Sequence, residues 1–273
     1  MWSFWKRYRP FLSAGIQELI TYRVNFFLYR IGDVMGAFVA YYLWKAVFDS
    51  SKQSLINGFT LSDMTFYIIM SFVTALLTKS DSSFMIGEEV KDGSIIMRLL
   101  RPVHFAASYL FMEIGFRWIV LMSVGFPFLV VLSGIKVMAG LSILQVLASS
   151  CLYLLVSLLL AFLINFYFNI CFGFSAFVFK NLWGSNLLKN ALVAFMSGSL
   201  IPLAFFPKMV SIVLSFLPFS SLVYTPVMIV IGKYSLSQIM VALSLQIFWL
   251  LVMVVLSQVI WKKVQYHLTI QGG

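Results

Sequence analysis

The chain has 273 residues, 62% hydrophobic and 17% aromatic, with only 10% charged and a formal net charge of +10. Soluble domains carry about 25% charged residues, so a water-soluble globular protein is excluded. The long unalternating apolar runs also exclude a β-barrel, whose strands alternate over roughly 10 residues. The fold class expected is all-α: a polytopic membrane protein of helices.

The first ten residues, Met-Trp-Ser-Phe-Trp-Lys-Arg-Tyr-Arg-Pro, are not followed by the apolar run and small-residue cleavage site of a removable signal peptide. Residues 11–25 are too polar to cross a bilayer. On a helix, Phe11, Leu12, Ile16, Leu19 and Ile20 cover one half and Gln17, Glu18, Thr21 and Asn25 the other. That pattern predicts a helix lying along the membrane surface, so residues 1–26 read as a cytoplasmic, interfacial segment. A simple extension of the first span is the alternative.

Six apolar stretches follow, at 27–48, 60–79, 105–133, 141–172, 187–205 and 236–260, each compared with the ~20 residues that cross a bilayer. Gly125 and Pro127 predict a kink or break in the third. A short hairpin at 133–140 leads into the fourth. Pro202, Pro207, Pro218 and Pro226 interrupt residues 202–232, which predicts short helices or a re-entrant hairpin at one face. Trp261, Lys262 and Lys263 close the last span as an aromatic and basic anchor.

The connector between the second and third spans, residues 80–104, holds the densest charge. Glu88, Glu89 and Asp92 precede Gly93; Ile95, Ile96, Leu99 and Leu100 follow it, with Arg98 and Arg101 interleaved, and Pro102 ends the run. Two short helices separated by Gly93 fit this order, the apolar residues against the membrane and the acidic turn in water. A solvated loop that merely joins spans fits it as well.

With the N-terminus inside, 13 Lys and Arg (Lys6, Arg7, Arg9, Arg23, Arg30, Lys79, Lys91, Arg98, Arg101, Lys180, Lys189, Lys262 and Lys263) fall on the cytoplasmic face. Lys45, Lys52, Lys136, Lys208 and Lys233 fall opposite, and Arg117 stays within a span. The positive-inside rule then places both termini in the cytoplasm. The basic excess is a topology signal and needs no nucleic acid partner.

Motifs for chemistry are few. No Gly-x-x-x-x-Gly-Lys-[Ser/Thr], His-Glu-x-x-His or Gly-x-Ser-x-Gly occurs, and the histidines are His104 and His267 alone. No cofactor or metal is expected in the chain. Cys151 and Cys171 share one helical region about 30 Å apart, too far for a disulfide. Glu113 and Arg117 are spaced i, i+4 and form a candidate intramembrane ion pair, either on a substrate path or as a structural bond. Asn165 and Asn169 share that spacing and suit helix–helix hydrogen bonding.

The connector motif at 93–102, Gly-Ser-Ile-Ile-Met-Arg-Leu-Leu-Arg-Pro, resembles that of ABC-2 type transporter permeases, in particular a small six-span bacterial family. Residues 197–207, Ser-Gly-Ser-Leu-Ile-Pro-Leu-Ala-Phe-Phe-Pro, then Leu217-Pro218-Phe219, Tyr224-Thr225-Pro226 and the closing Gly272-Gly273 add to the likeness. The resemblance implies a permease in the bacterial inner membrane, working with a second permease, identical or related, and with separate ABC ATPase subunits that hold ATP and Mg. It implies that the N-terminal helix and the connector touch those ATPases, with Glu88, Glu89, Asp92, Gly93, Arg98 and Arg101 as the candidate coupling residues. It places residues 205–235 on the external side as broken helices, and it implies a hydrophobic or amphipathic substrate. Two readings compete: an ATP-independent channel or lipid scramblase, and a membrane-embedded lipid-modifying enzyme using Glu113, Arg117 and His104. The absence of a clustered acid, base or metal set disfavours the second.

Overall fold

The computed structural model describes residues 2–51, 53–138, 152–179 and 181–271. Cys151, the start of the fourth apolar stretch, the end of the 133–140 hairpin and Gly272-Gly273 lie outside the described residues. Among those described, no strand forms; an isolated bridge between Ile56 and Phe59 closes a loop.

Helix α1 (Trp2–Thr21) and helix α2 (Arg23–Ser51) meet at Tyr22, and the backbone bonds Tyr22 to Glu18 and Phe26 to Tyr22 continue through the join. Helix α1 crosses helix α6 (Phe105–Val120) at two glycines. A Cβ on Gly15 would sit 2.0 Å from the Met112 carbonyl oxygen, and one on Gly115 would sit 2.1 Å from that of Leu12. Small residues permit this backbone approach. Helix α3 (Leu61–Thr78) starts at a reciprocal cap, Asp63 N to Thr60 Oγ1 and Thr60 N to Asp63 Oδ2, both 3.1 Å.

The connector folds as α4 (Ser82–Asp92) and α5 (Ile95–Leu99), which meet at Gly93 with φ +81°. The kink expected near Pro127 takes the form of a π-turn at Leu121–Gly125, where Phe126 N donates to Leu121 O. Proline has no N–H for the ordinary ladder, and the wider turn shifts the hydrogen-bond register just before it. Helix α7 (Phe126–Met138) continues the run. Helix α8 (Leu152–Gly173), helix α9 (Ala176–Phe179) and helix α10 (Trp183–Met196) follow.

Among the described residues, five helices are long and apolar enough to cross a membrane: Arg23–Ser51, Leu61–Thr78, Phe105–Val131, Leu152–Phe179 and Leu236–Tyr266. The stretch at 187–205 is not a sixth such helix. Helix α10 has 14 residues, about 21 Å of rise. It ends where Gly198 adopts φ +80° and Pro202 precedes a 3-10 turn at Leu203–Phe205. The chain still runs the length of α3. Asn186 lies beside Ser83, past one end of that helix, and Phe205 packs on Phe59 and Trp44 at the other. Tyr67 donates to the Gly198 carbonyl at 2.6 Å and Tyr224 N to that of Ser197 at 3.0 Å, so protein satisfies the irregular backbone.

Helix α11 (Lys208–Phe216) and helix α12 (Tyr224–Ile231) then form a hairpin that returns to the end it left. Its tip reaches Thr78, whose hydroxyl donates to Leu222 O at 3.3 Å, and Gln246, whose amide donates to Ser221 O at 2.8 Å. Its exit is fixed where Lys233 meets Asp63 at 2.8 Å and the Gly58 carbonyl at 2.9 Å. Every residue from 220 to 230 is buried. The main apolar core lies between α3, α8 and α12, with Met64, Tyr67, Ile164 and Val227 nearly sealed. Helix α13 (Leu236–Gln271) flanks α8. A second core at the connector end joins Ile86 and Ile95 to Phe105, Phe174 and Trp261.

Candidate functional site

The connector lies against the bundle along one side and is exposed along the other. Ser82, Ser83, Ile86 and Gly87 are buried, with Ile86 packed where Gly173 of α8 lacks a side chain. Glu89 turns inward. Arg98 binds it bidentately, Nε to Oε2 at 2.9 Å and Nη2 to Oε1 at 2.5 Å, and Tyr109 donates to Oε2 at 2.7 Å. Arg98 Nη1 also donates to Ser108 at 2.9 Å, and the guanidinium lies 3.8 Å over the Tyr109 ring. Charge-assisted, two-pronged bonds of this kind are short and orienting. Phe11 of α1 stands beside both Arg98 and Arg101, 5.8 and 5.6 Å from ring centre to guanidinium carbon. The clasp therefore joins α4, α5, α6 and α1.

Of the candidate coupling residues, Glu89 and Arg98 hold each other, while Glu88, Asp92, Gly93 and Arg101 are exposed. Glu88 stands 4.0 Å from Lys91. Asp92 accepts from Ser94 N at 2.9 Å, and its hydrogen bonds to Ser94 hold its carboxyl below the usual range. Ile96, Met97 and Leu100 of the second piece are exposed apolar side chains.

Glu113 and Arg117 do not pair. Glu113 Oε1 accepts from Ser80 Oγ at 2.8 Å, Asp81 N at 2.8 Å and Ser82 Oγ at 2.6 Å. Arg117 reaches Asp81 at 3.4 Å and the Leu76 carbonyl at 3.4 Å. The i, i+4 spacing is overridden because the turn between α3 and α4 offers nearer partners to each. Burial alone would raise Asp81, but Lys79 at 3.1 Å and Arg117 outweigh it and hold its carboxyl below the usual value. Glu18 of α1 is pushed up by burial and by the charge of Asp81. Glu18, Lys79, Asp81 and Arg117, with Arg30 and Asp33, border a cavity of about 420 Å³ at the α1–α2 join.

A second polar cluster lies on the other side of α4. Asn165 donates to Thr78 O at 2.8 Å, and Asn169 Nδ2 donates to Asn165 Oδ1 at 2.9 Å. Ser83 Oγ is 2.8 Å from Asn169 Oδ1 and 2.7 Å from Asn186 Oδ1. Lys189 donates to Ser83 at 2.7 Å and to Asn169. The charge count placed Lys189 at the cytoplasmic face; within the fold its side chain is buried. The signal that points to it is position: a lone lysine on a mostly apolar helix, preceded three residues earlier by Asn186 and facing the Asn165 and Asn169 pair.

His104 and Glu113 sit nine residues apart on one helix, about 13 Å along its axis, so they do not share a catalytic centre. Among the described residues, no group of three or more His, Cys, Asp or Glu side chains is placed to hold a metal.

A family model described as ABC-2 family transporter protein matches residues 34–272. No curated protein and no solved structure matches the chain.

Proposed function

Because this chain belongs to the ABC-2 family of transporter proteins, we propose that it is the permease subunit of an ATP-driven exporter of the bacterial inner membrane, with both termini cytoplasmic. ATP and Mg belong to separate ABC ATPase subunits, and a second permease, identical or related, completes the pathway for a hydrophobic or amphipathic substrate. One observation supports the coupling role most directly: the connector shows Glu88, Lys91 and Asp92 to solvent while its other side is clasped through Glu89 and Arg98 to α1 and α6. A partner shifts an equilibrium only through contacts that differ between its states. A rigidly seated ridge would carry such contacts to the spans.

Reconstitution in proteoliposomes with the partner ATPase tests this reading. Glu88→Lys combined with Asp92→Lys should leave the permease monodisperse and lower ATPase binding or ATP-dependent export at least tenfold. Normal binding and export in that variant would remove the connector from the coupling path. Turnover without ATPase or ATP would favour the channel or scramblase reading.

A further inference from the structure

We propose that Lys189 marks a site for an amphiphile with an anionic head, entered sideways from the cytoplasmic leaflet. The ammonium stands where two cavities meet. One, of about 230 Å³, is polar and is bordered by Lys79, Asn165, Asn169, Asn190 and Ser199. The other, of about 690 Å³, is apolar and follows α10 past Phe172, Leu188, Leu192 and Met196 to Phe219. Lys189, Phe168 and Val193 border both. Neither lining contains a carboxylate.

Charge complementarity selects the occupant. An ammonium has three donors, and those of Lys189 reach Ser83 and Asn169, both neutral, with no third acceptor among the described residues. Phe172 lies 5.0 Å from the nitrogen. Asp81 and Glu113 act on it only through space, and each is held by other donors. A buried charge needs a counter-charge or dense hydrogen bonding, and the polar cavity beside it has room for an anionic group. From Ser185 to Met196 the apolar groove is about 16 Å long. Leu188, Leu192 and Phe179 are 64%, 53% and 68% exposed, so the groove opens to the bilayer. A head seated between Lys189 and Lys79 places its tail in that groove. A phosphate and a carboxylate head share the required chemistry.

That this ligand is the exported substrate rests on the transporter reading; its binding does not, and the two are measured separately. The purified permease in detergent would be titrated with oleate, oleoyl lysophosphatidate and neutral monoolein, following tryptophan fluorescence. Anionic probes should bind at least tenfold more tightly than monoolein, and the better of the two identifies the head. Lys189→Gln should remove that preference with little effect on monoolein. Leu192→Trp, which narrows the groove and leaves the charges alone, should weaken all three probes and keeps the test open if Lys189→Gln unfolds. Equal affinity for anionic and neutral probes, or unchanged binding in both variants, overturns the site. Tight binding without ATP-dependent export of the bound probe would keep the site and deny it the substrate.

Discussion

At Glu113 one carboxylate oxygen gathers three donors from the turn joining α3 to α4. Leaving a buried donor unpaired costs about 1–3 kcal/mol. Glu113→Ala should therefore destabilise the protein by about 3 kcal/mol or more, and Glu113→Gln by less, read as unfolding midpoints in detergent. Arg117→Ala should act differently, releasing the Asp81 side chain while the three donors on Glu113 stay in place. The clasp has its own signature: Arg98→Lys keeps the charge but not the fork, so it should lose coupled export nearly as fully as Arg98→Ala while the permease stays folded. Glu18 gives a pH dependence. Its carboxyl titrates higher in the folded state than the ordinary value, so the folded protein binds this proton more readily than the unfolded chain. Its ionisation opposes folding at neutral pH, and that opposition disappears as pH falls through the folded pKa towards the ordinary one. Glu18→Gln should thus raise the melting midpoint at pH 7, with the gain shrinking as the solution is acidified through that window.

Between α1 and α6 the contact is backbone on backbone. At both Gly15 and Gly115 an added Cβ meets a carbonyl oxygen at about 2 Å, so one helix must move. Gly115→Leu should displace α1 from α6 and break the approach of Phe11 to Arg98, seen as a loss of cross-linking between cysteines placed on the two helices. Much of this level was legible in advance. The apolar runs located α2, α3, α8 and α13, and Gly93 set the division of α4 from α5. The pattern of residues 11–25 marked a helix but not its crossing of α6, because two glycines a hundred residues apart in sequence carry no pairing signal. Residues 187–205 looked like a span on hydropathy alone; Gly198 and Pro202 cut the helix short. The pairing of Glu113 with Arg117 was wrong, and the burial of Lys189 went unseen, for a common reason. Spacing names neighbours on one helix, whereas their partners are brought in by α3, α4 and α8.

For the whole molecule, the proposed topology separates two lysines by the membrane. In a background with Cys151 and Cys171 changed to serine, Lys233→Cys should react with a membrane-impermeant maleimide added outside intact cells. Lys91→Cys should react only after permeabilisation. The opposite pattern would invert the chain. The hairpin of α11 and α12 carries a consequence for biogenesis. Its helices have 9 and 8 residues, too short to leave a translocon as spanning segments. Its tip depends on Thr78 and on Gln246, a residue made after it. The hairpin therefore cannot be seated in the order it is synthesised. Its contact with Gln246 can close only once α13 has been made.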